Sequence, residues 1–347
     1  MRRNLLTLLT AVLVLLAGSA IAWVIAEHQL RSGLANWIAA RRAAGWSASS
    51  GQTTSGGWPL AATLTVPDVA LSAPLRGLPG GLSWHVDRVV LKLTWLHPLA
   101  LQLDAAGKQN IRLGSGPEIP YTAERLQAKT PFFRATRNGV FDLVGEMVKA
   151  RIPLGGIQDV VAITHLSLQT KTMPQAQPDH PSLTAVLSAN NIELPARVQS
   201  PLGKQIAMVD LDLALMGPLS DAPSITTRAN EWRSAGGSLH VQRLQTSWGP
   251  LGLKAEANLK LDSDLQPTGT ATAEVTGYAE TLDALARGGV ITRSGATAAK
   301  ALLSLVATAP DNARPEQVDV PLSLQDRTLS MRQFPLLRLP ELDWPRP

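Results

Sequence analysis

The chain has 347 residues, a net charge of +5 and 45% hydrophobic residues, an apolar content that builds a core and excludes a disordered protein. It contains no cysteine, which excludes disulfides, thiolate metal ligands and cysteine nucleophiles. Only 17% of the residues are charged, and most of the basic ones are scattered singly, so we predict no nucleic-acid partner.

An uncharged, apolar run at residues 5–26 directly follows Arg2 and Arg3. As a helix this run measures about 33 Å, close to the bilayer hydrocarbon core of about 30 Å. Positively charged flanks stay in the cytoplasm, and a tryptophan such as Trp23 favours the membrane surface. Arg2, Arg3 and Trp23 therefore predict a single-pass inner-membrane protein with a cytoplasmic N-terminus and a periplasmic body.

A cleaved signal peptide is the alternative interpretation of the same run. Ala20-Ile21-Ala22 has the small residues that signal peptidase reads, and Trp23 follows directly. The apolar region of a signal peptide is usually about 7–15 residues long, however, and this run continues past the candidate cleavage site. Both interpretations export the rest of the chain.

Apolar residues continue at helical spacing beyond the run, at positions i, i+4, i+7 and i+8 counted from Leu30. This spacing predicts that the helix continues to about Ala44 and ends at Gly45. The small, polar residues that follow are typical of a flexible linker. We therefore expect an anchor at 1–26, a juxtamembrane helix at 27–46, a linker at 47–57 and a β-rich body at 58–347.

From Trp58 onward, apolar and polar residues alternate, most clearly at 251–262. Leu251, Leu253, Leu259 and Leu261 face one way there, and polar residues between them face the other. Such alternation predicts antiparallel strands with one apolar and one solvated face. Further strand-like runs occur near 60–66, 89–95, 98–103, 121–128, 138–144, 157–170, 183–194, 209–215, 238–247, 269–277 and 320–331.

Helices are predicted at 223–235, 279–287 and 295–308. The fold class is thus mostly β (α+β): an N-terminal transmembrane helix followed by curved antiparallel β-sheets, with a small C-terminal helical pair. Trp58-Pro59-Leu60 and Trp248-Gly249-Pro250-Leu251 each lead into an alternating strand. Either this short match is chance, or the body consists of two related β-layers, 58–235 and 236–347.

The sequence offers no arrangement of residues for catalysis. Its six histidines are far apart, and it has no GxSxG elbow, SxxK pair, phosphate-binding loop or zinc-protease motif. We therefore predict a protein that is not an enzyme, with no catalytic residues, no metal site and no cofactor. A hydrolase assembled from dispersed residues is the remote alternative.

The apolar face itself is then the candidate functional surface, with Leu251, Leu253, Leu259 and Leu261 as its candidate residues. A sheet must bury such a face against another layer or offer it to a ligand. The leading hypothesis is an envelope protein that binds phospholipid or guides it along this face. The alternative is a periplasmic scaffold that recruits other envelope proteins through exposed strand edges.

Several short segments resemble an uncharacterised proteobacterial family, domain of unknown function 2125. The segments are Trp46, Gly57-Trp58-Pro59-Leu60, Trp248-Gly249-Pro250-Leu251, Leu265-Gln266-Pro267, Gly277-Tyr278, Leu282-Asp283-Ala284-Leu285, Pro321-Leu322-Ser323-Leu324, the run 335–340 and Trp344-Pro345. Ala61-Ala62 and Asp326-Arg327 depart from the family pattern, which has a basic residue and Asp-Gly at these places. The layout is more remotely similar to AsmA-like envelope proteins. The resemblance implies location and architecture, and no chemistry.

Overall fold

The structure, a computed structural model, describes residues 2–73, 81–132, 139–154, 157–173, 176–177, 179–220, 222, 224–304, 317–331 and 334–344. The chain forms two compact units, Met1–Ala135 (unit 1) and Thr136–Pro347 (unit 2). The strand pairings described within each unit are antiparallel, and the mostly-β fold class is confirmed.

The described residues of unit 1 form one long helix and seven strands. Its elements are α1 (Arg2–Ala43), β1 (Ser47–Ser49), β2 (Thr54–Gly56), β3 (Ala61–Ala73), β4 (Leu82–Thr94), β5 (His97–Leu113), β6 (Ile119–Thr122) and β7 (Arg125–Pro131). Strands β3, β4 and β5 form the centre of its sheet. Both β1 and β2 pair with the outer side of β3, and both β6 and β7 pair with β5.

The core of unit 1 lies between the sheet and the second half of α1. Leu64 of β3 and Leu91 of β4 are direct partners in the sheet, and both are buried. Leu30 of α1 packs on this cluster and is only 1% exposed. Trp23 and Leu34 of α1 pack against the same cluster, so one face of the helix closes the apolar side of the sheet.

Polar contacts hold the same half of α1 to the edge of the sheet. The Trp23 indole donates a hydrogen bond to the Gly56 carbonyl oxygen at 3.0 Å. The Arg31 guanidinium donates to Ser55 Oγ at 2.8 Å. Near the end of the helix, Arg42 donates to the Ala48 carbonyl oxygen at 2.5 and 3.1 Å. Residues 12–18, by contrast, are exposed throughout.

The predicted continuation of the helix to about Ala44 is confirmed, because α1 runs unbroken to Ala43 and Gly45 follows with a φ of +83°. There is accordingly no structural break between the predicted anchor, 1–26, and the juxtamembrane helix, 27–46. The sequence predicts a flexible linker at 47–57. Short strands β1 and β2 occupy much of that segment, because the exposed edge of β3 satisfies their backbone groups.

Where the structure describes it, unit 2 has ten strands that pair in chain order, with three helices inserted between them. The strands are β8 (Gly139–Leu154), β9 (Ile157–Thr172), β10 (Pro181–Glu193), β11 (Gln205–Met216), β12 (Ser238–Trp248), β13 (Leu251–Leu261), β14 (Pro267–Thr276), β15 (Gln317–Gln325), β16 (Thr328–Met331) and β17 (Phe334–Arg338). The helices are α2 (Ile225–Ser234), α3 (Tyr278–Arg287) and α4 (Arg293–Ser304).

All three predicted helices of the body are present. The predicted helix at 295–308 is described as far as Ser304, and its residues 305–308 lie outside the described residues. The predicted strand at 121–128 is two strands, β6 and β7. The division between the units falls at Ala135, whereas the predicted layer boundary at 235/236 lies inside unit 2 between α2 and β12.

The turn between β15 and β16 consists of Asp326 and Arg327, with φ values of +48° and +63°. Positive φ at both central positions is the geometry for which Asp-Gly is preferred. Arg327 adopts it without glycine's freedom, and its guanidinium contacts the Glu341 carboxylate at 2.8 Å. The departure from Asp-Gly is therefore compatible with the turn.

Replacing Leu30 tests whether α1 closes the core of unit 1. We expect Leu30→Ala to lower the free energy of unfolding by about 2–5 kcal/mol, because it leaves a cavity between α1 and the sheet. The measurement is urea unfolding of the full chain in detergent micelles, followed by circular dichroism. Ile25→Ala is the matched control, since Ile25 is 53% exposed on the same helix, and we expect a change within about 0.5 kcal/mol. Equal losses of unfolding free energy in the two variants would contradict the packing of this face of α1 on the sheet.

Candidate functional site

The apolar face of unit 2 is a continuous surface that crosses eight strands. Residues that are direct partners in antiparallel strands project to the same face of a sheet. The register therefore places a complete row of apolar side chains, which we call the central row, from β8 to β15. It comprises Leu143, Leu168, Leu187, Leu211, Leu244, Ala255, Ala273 and Val320.

Apolar rows flank the central row on both sides. Thr170 and Thr246 are the polar members of the two rows next to it. One row consists of Phe141, Thr170, Ala185, Leu213, Val241, Ala257, Ala271 and Leu322, and the other of Leu166, Ala189, Val209, Thr246, Leu253, Val275 and Val318. A further row contains Leu183, Leu215, Leu239, Leu259, Gly269 and Leu324.

The opposite face of the same strands is polar. The row that alternates with the central row comprises Val144, Ser167, Ser188, Asp210, Gln245, Lys254, Glu274 and Asp319. Ser188 Oγ donates to the Asp210 carboxylate at 2.6 Å, and Lys254 Nζ lies 3.2 Å from Glu274 Oε1. The sheet thus separates a mostly polar face from an aliphatic one.

An irregularity in β12 keeps the apolar face continuous. Leu211 pairs with Leu244 and Leu213 pairs with Val241, so β12 uses three residues where β11 uses two. This extra residue is a β-bulge, and it places Leu244 and Val241 on one face although they are three positions apart. Strict alternation would put one of them on the polar face.

The apolar face is incompletely buried within unit 2. In the central row Ala273 is buried, and its other members are only half-buried. In unit 1, where α1 covers the sheet, Leu64 is fully buried and Leu91 is 7% exposed. Of the helices of unit 2, α2 and α3 contact β13. The central row therefore retains aliphatic surface that the layers of unit 2 leave partly accessible.

The four candidate residues of the apolar face all lie on β13, and all are half-buried. Leu253 and Leu259 belong to the apolar rows, while Leu251 and Leu261 lie at the two ends of the strand. The exposed members of the strand include Lys254 and Lys260. The sequence predicts strands on both sides of β13, but it did not show that their apolar residues continue this face.

Of the predicted determinants of membrane topology, Arg2 and Arg3 lie in the first turn of α1. Trp23 lies where α1 first contacts the sheet, with its indole on Gly56. Among the described residues, one helix is long and apolar enough to cross a membrane, and it lies within Val12–Ala43. Its second half packs on β1 and β3, and the apolar run 5–22 precedes this packing. Residues 12–18 of that run are exposed, and we call residues 12–22 the free half of α1.

Unit 1 contains a cleft of about 340 Å³ with a mixed polar and apolar lining, which the sequence did not reveal. One row of paired residues from four strands lines the cleft. It consists of Ser47 of β1, Ser72 of β3, Ser83 of β4 and Arg112 of β5. These residues are far apart in sequence and are brought together only by strand register. No local motif marks them.

The cleft holds residue types that hydrolases use, namely Ser83, His85 and Glu118. Nucleophilic catalysis requires a hydrogen bond between the nucleophile and its base. Within the described part of the chain, no hydrogen bond joins His85 to a serine or a carboxylate, and Glu118 lies 3.7 Å from Arg112 Nη1. The cleft is thus a hydrogen-bonding surface without a coupled nucleophile and base.

Trp84, which also lines the cleft, forms a half-buried aromatic pair with Tyr121. The Trp84 indole donates to the Tyr121 hydroxyl oxygen at 2.6 Å. Burial raises the pKa of Tyr121 above its ordinary value, and the hydrogen bond from Trp84 opposes this effect. The phenol therefore stays protonated at neutral pH. In the ranges that the structure describes, no three His, Asp or Glu side chains are grouped to hold a metal ion.

Comparison with known proteins identifies the family. A family model described as an uncharacterized protein conserved in bacteria (DUF2125) matches residues 23–340. The chain belongs to this family. The matched range starts at Trp23 and so includes the docked half of α1 with the strands of both units. No curated protein and no solved structure matches the chain.

Substitutions on adjacent residues of β13 test the two faces of this DUF2125 protein. We expect Leu259→Asp to lower the free energy of unfolding by at least about 2 kcal/mol, because it brings a carboxylate among aliphatic neighbours. Lys260→Asp, on the exposed face, is the control, and its effect should stay within about 0.5 kcal/mol. Thermal melts of the two variants supply the comparison. Similar destabilisation by both would show that the faces are misassigned.

Proposed function

We propose that this protein is a non-enzymatic, membrane-anchored protein of the bacterial envelope that binds lipid acyl chains on the apolar face of unit 2. The observation that carries the proposal is the central row, whose aliphatic side chains cross eight strands and, except for Ala273, stay half-buried. With strands about 4.8 Å apart, this row extends over about 34 Å.

The chemistry of the face favours hydrocarbon over a peptide as the occupant. The central row has no charged or hydrogen-bonding side chain, and its two neighbours contribute only the hydroxyls of Thr170 and Thr246. A bound peptide needs partners for its backbone N–H and C=O groups, whereas an acyl chain needs none. Each methylene group that leaves water on such a surface contributes about 0.8 kcal/mol.

The apolar half of α1 supports the membrane part of the proposal. It is free of the sheet and exposed at residues 12–18, and it precedes a half that packs firmly on unit 1. As an anchor with Arg2 and Arg3 in the cytoplasm, it would hold both units at the periplasmic side of the inner membrane. Lipid is then the nearest source of hydrocarbon.

The mature N-terminus distinguishes an anchor from a cleaved signal peptide. We expect the intact mass of the membrane-extracted protein to include residues 2–22, because signal peptidase does not remove an anchor. Ala22→Leu, which replaces the small residue at the candidate cleavage site, should leave both the mass and the membrane attachment unchanged. A wild-type chain that starts at Trp23, with an uncleaved Ala22→Leu variant, would overturn the anchor.

Photocrosslinking in living cells tests lipid binding in the full chain. We expect p-benzoylphenylalanine at Leu253, on the apolar face, to capture lipid in cells labelled with radioactive phosphate or acetate. The same group at Lys254, one residue along and on the polar face, is the control and should give only background. The full chain is needed because removal of α1 would expose the core of unit 1.

The two radioactive labels make the outcomes specific. Capture of both labels at position 253 identifies a phospholipid, and capture of acetate label alone identifies an acyl chain without a phosphate. Equal labelling at both positions, or labelling at neither, would overturn lipid binding on this face. Crosslinks from position 254 to other proteins would then favour the scaffold hypothesis.

A further inference from the structure

One end of the unit 1 sheet presents a group of exposed apolar side chains. The turn between β2 and β3 lies beside the turn between β4 and β5, since Ala61 pairs with Thr94. The Trp95 indole also donates to the Pro59 carbonyl oxygen at 2.5 Å. The exposed residues here are Trp58, Leu60, Trp95, Leu96 and Leu99, which we call the apolar rim.

The exposure of the apolar rim is high for such large side chains, at 80% for Leu60 and 87% for Leu96. The two segments that form this end, 57–62 and 94–101, contain no Asp, Glu, Lys or Arg. The opposite end of the sheet carries the charged residues Arg112 and Glu118 at the cleft, and Leu113 is a large exposed apolar residue there. The apolar residues are thus concentrated at one end of unit 1.

Contacts along α1 determine which end of the sheet faces the free half of the helix. Trp23 contacts Gly56, which pairs with Thr63 of β3. Arg42 contacts Ala48, which pairs with Leu71 of β3. Nineteen helical residues span about 28 Å and eight strand residues about 26 Å, so α1 runs alongside β3 in the same direction.

The free half of α1 therefore leaves the sheet at the apolar rim. From Trp23 towards the N-terminus, α1 reaches the level of Ala61, the first residue of β3, within about one helical turn. The residues before that turn extend beyond the end of the sheet. Leu60 lies in the turn that precedes β3, so it reaches the level of the last apolar residues of the run 5–22. The rim and the outer end of the proposed membrane span lie side by side.

We propose that the apolar rim inserts into the headgroup–acyl boundary of the membrane in which α1 is anchored. The occupant of this surface is the lipid bilayer, because the rim lies beside the exit of the apolar helix and bears no formal charge. Tryptophan is the residue that favours this boundary, and both Trp58 and Trp95 belong to the rim. This inference rests on the proposed anchoring of α1 and adds a second membrane contact.

Spin labels on single cysteines measure the depth of the rim directly, because the chain has no native cysteine. The full chain with Leu60→Cys or Leu96→Cys is labelled and reconstituted in vesicles of phosphatidylcholine and phosphatidylglycerol. Collision rates with oxygen and with a water-soluble nickel complex then report depth. Leu113→Cys is the matched control, since Leu113 is 53% exposed at the opposite end of β5. Leu13→Cys reports insertion of the helix.

We expect the labels at positions 60 and 96 to show several-fold less nickel accessibility and more oxygen accessibility than the label at 113. Two outcomes would overturn the inference, and they are distinguishable. If position 13 is protected from nickel while 60 and 96 behave like 113, the rim stays in water although the anchor inserts. If position 13 is itself accessible to nickel, the proposed anchor fails together with the rim.

Discussion

The packing of α1 on the β3–β4 side of the sheet is the interaction on which unit 1 depends. A sheet with one aliphatic face is stable only when a second layer removes that face from water. Leu30 and the neighbouring apolar residues of α1 supply this layer, and Leu64 and Leu91 are buried as a result. The same unbroken helix carries the apolar run 5–22. The segment that leaves the sheet is thus continuous with the core, without a flexible joint.

This continuity gives the proposed anchor a defined direction. Hydrogen bonds from Trp23 to Gly56 and from Arg42 to Ala48 hold α1 alongside β3 at both ends of the docked half. A helix held in this way cannot swing freely about a linker, so the end of unit 1 that it leaves is the end nearest to its free half. The apolar rim lies at that end.

The aliphatic face of the sheet in unit 2 is covered less completely than the one in unit 1. The strands of unit 2 alternate like those of unit 1, yet the central row stays half-buried except at Ala273. The proposal of an acyl-chain occupant follows from this difference in burial between two aliphatic faces. The side chains of the central row cannot form hydrogen bonds. A hydrocarbon chain can cover them without leaving a polar group unpaired.

Much of the fold could be predicted from local pattern. Alternation identified most strands, including β13, and helical spacing identified α2, α3 and the continuation of α1 to Ala43. The short strands β1 and β2 escaped prediction, because their small polar residues carry no alternation and pair only where the edge of β3 is open. The bulge in β12 also escaped, since its effect is visible only against β11 and β13.

The sequence by itself determined the strand-rich class, the apolar N-terminal run and the family, because period, length and short motifs are properties of neighbouring residues. It also determined which residues of β13 share a face. Only the tertiary structure decided how eight strands join their apolar faces into one surface and that α1 covers one sheet. It alone brought Trp58 and Trp95 together at the exit of the helix. The physical reason is that register, burial and layer packing depend on residues far apart in the chain, and no local pattern encodes those distances.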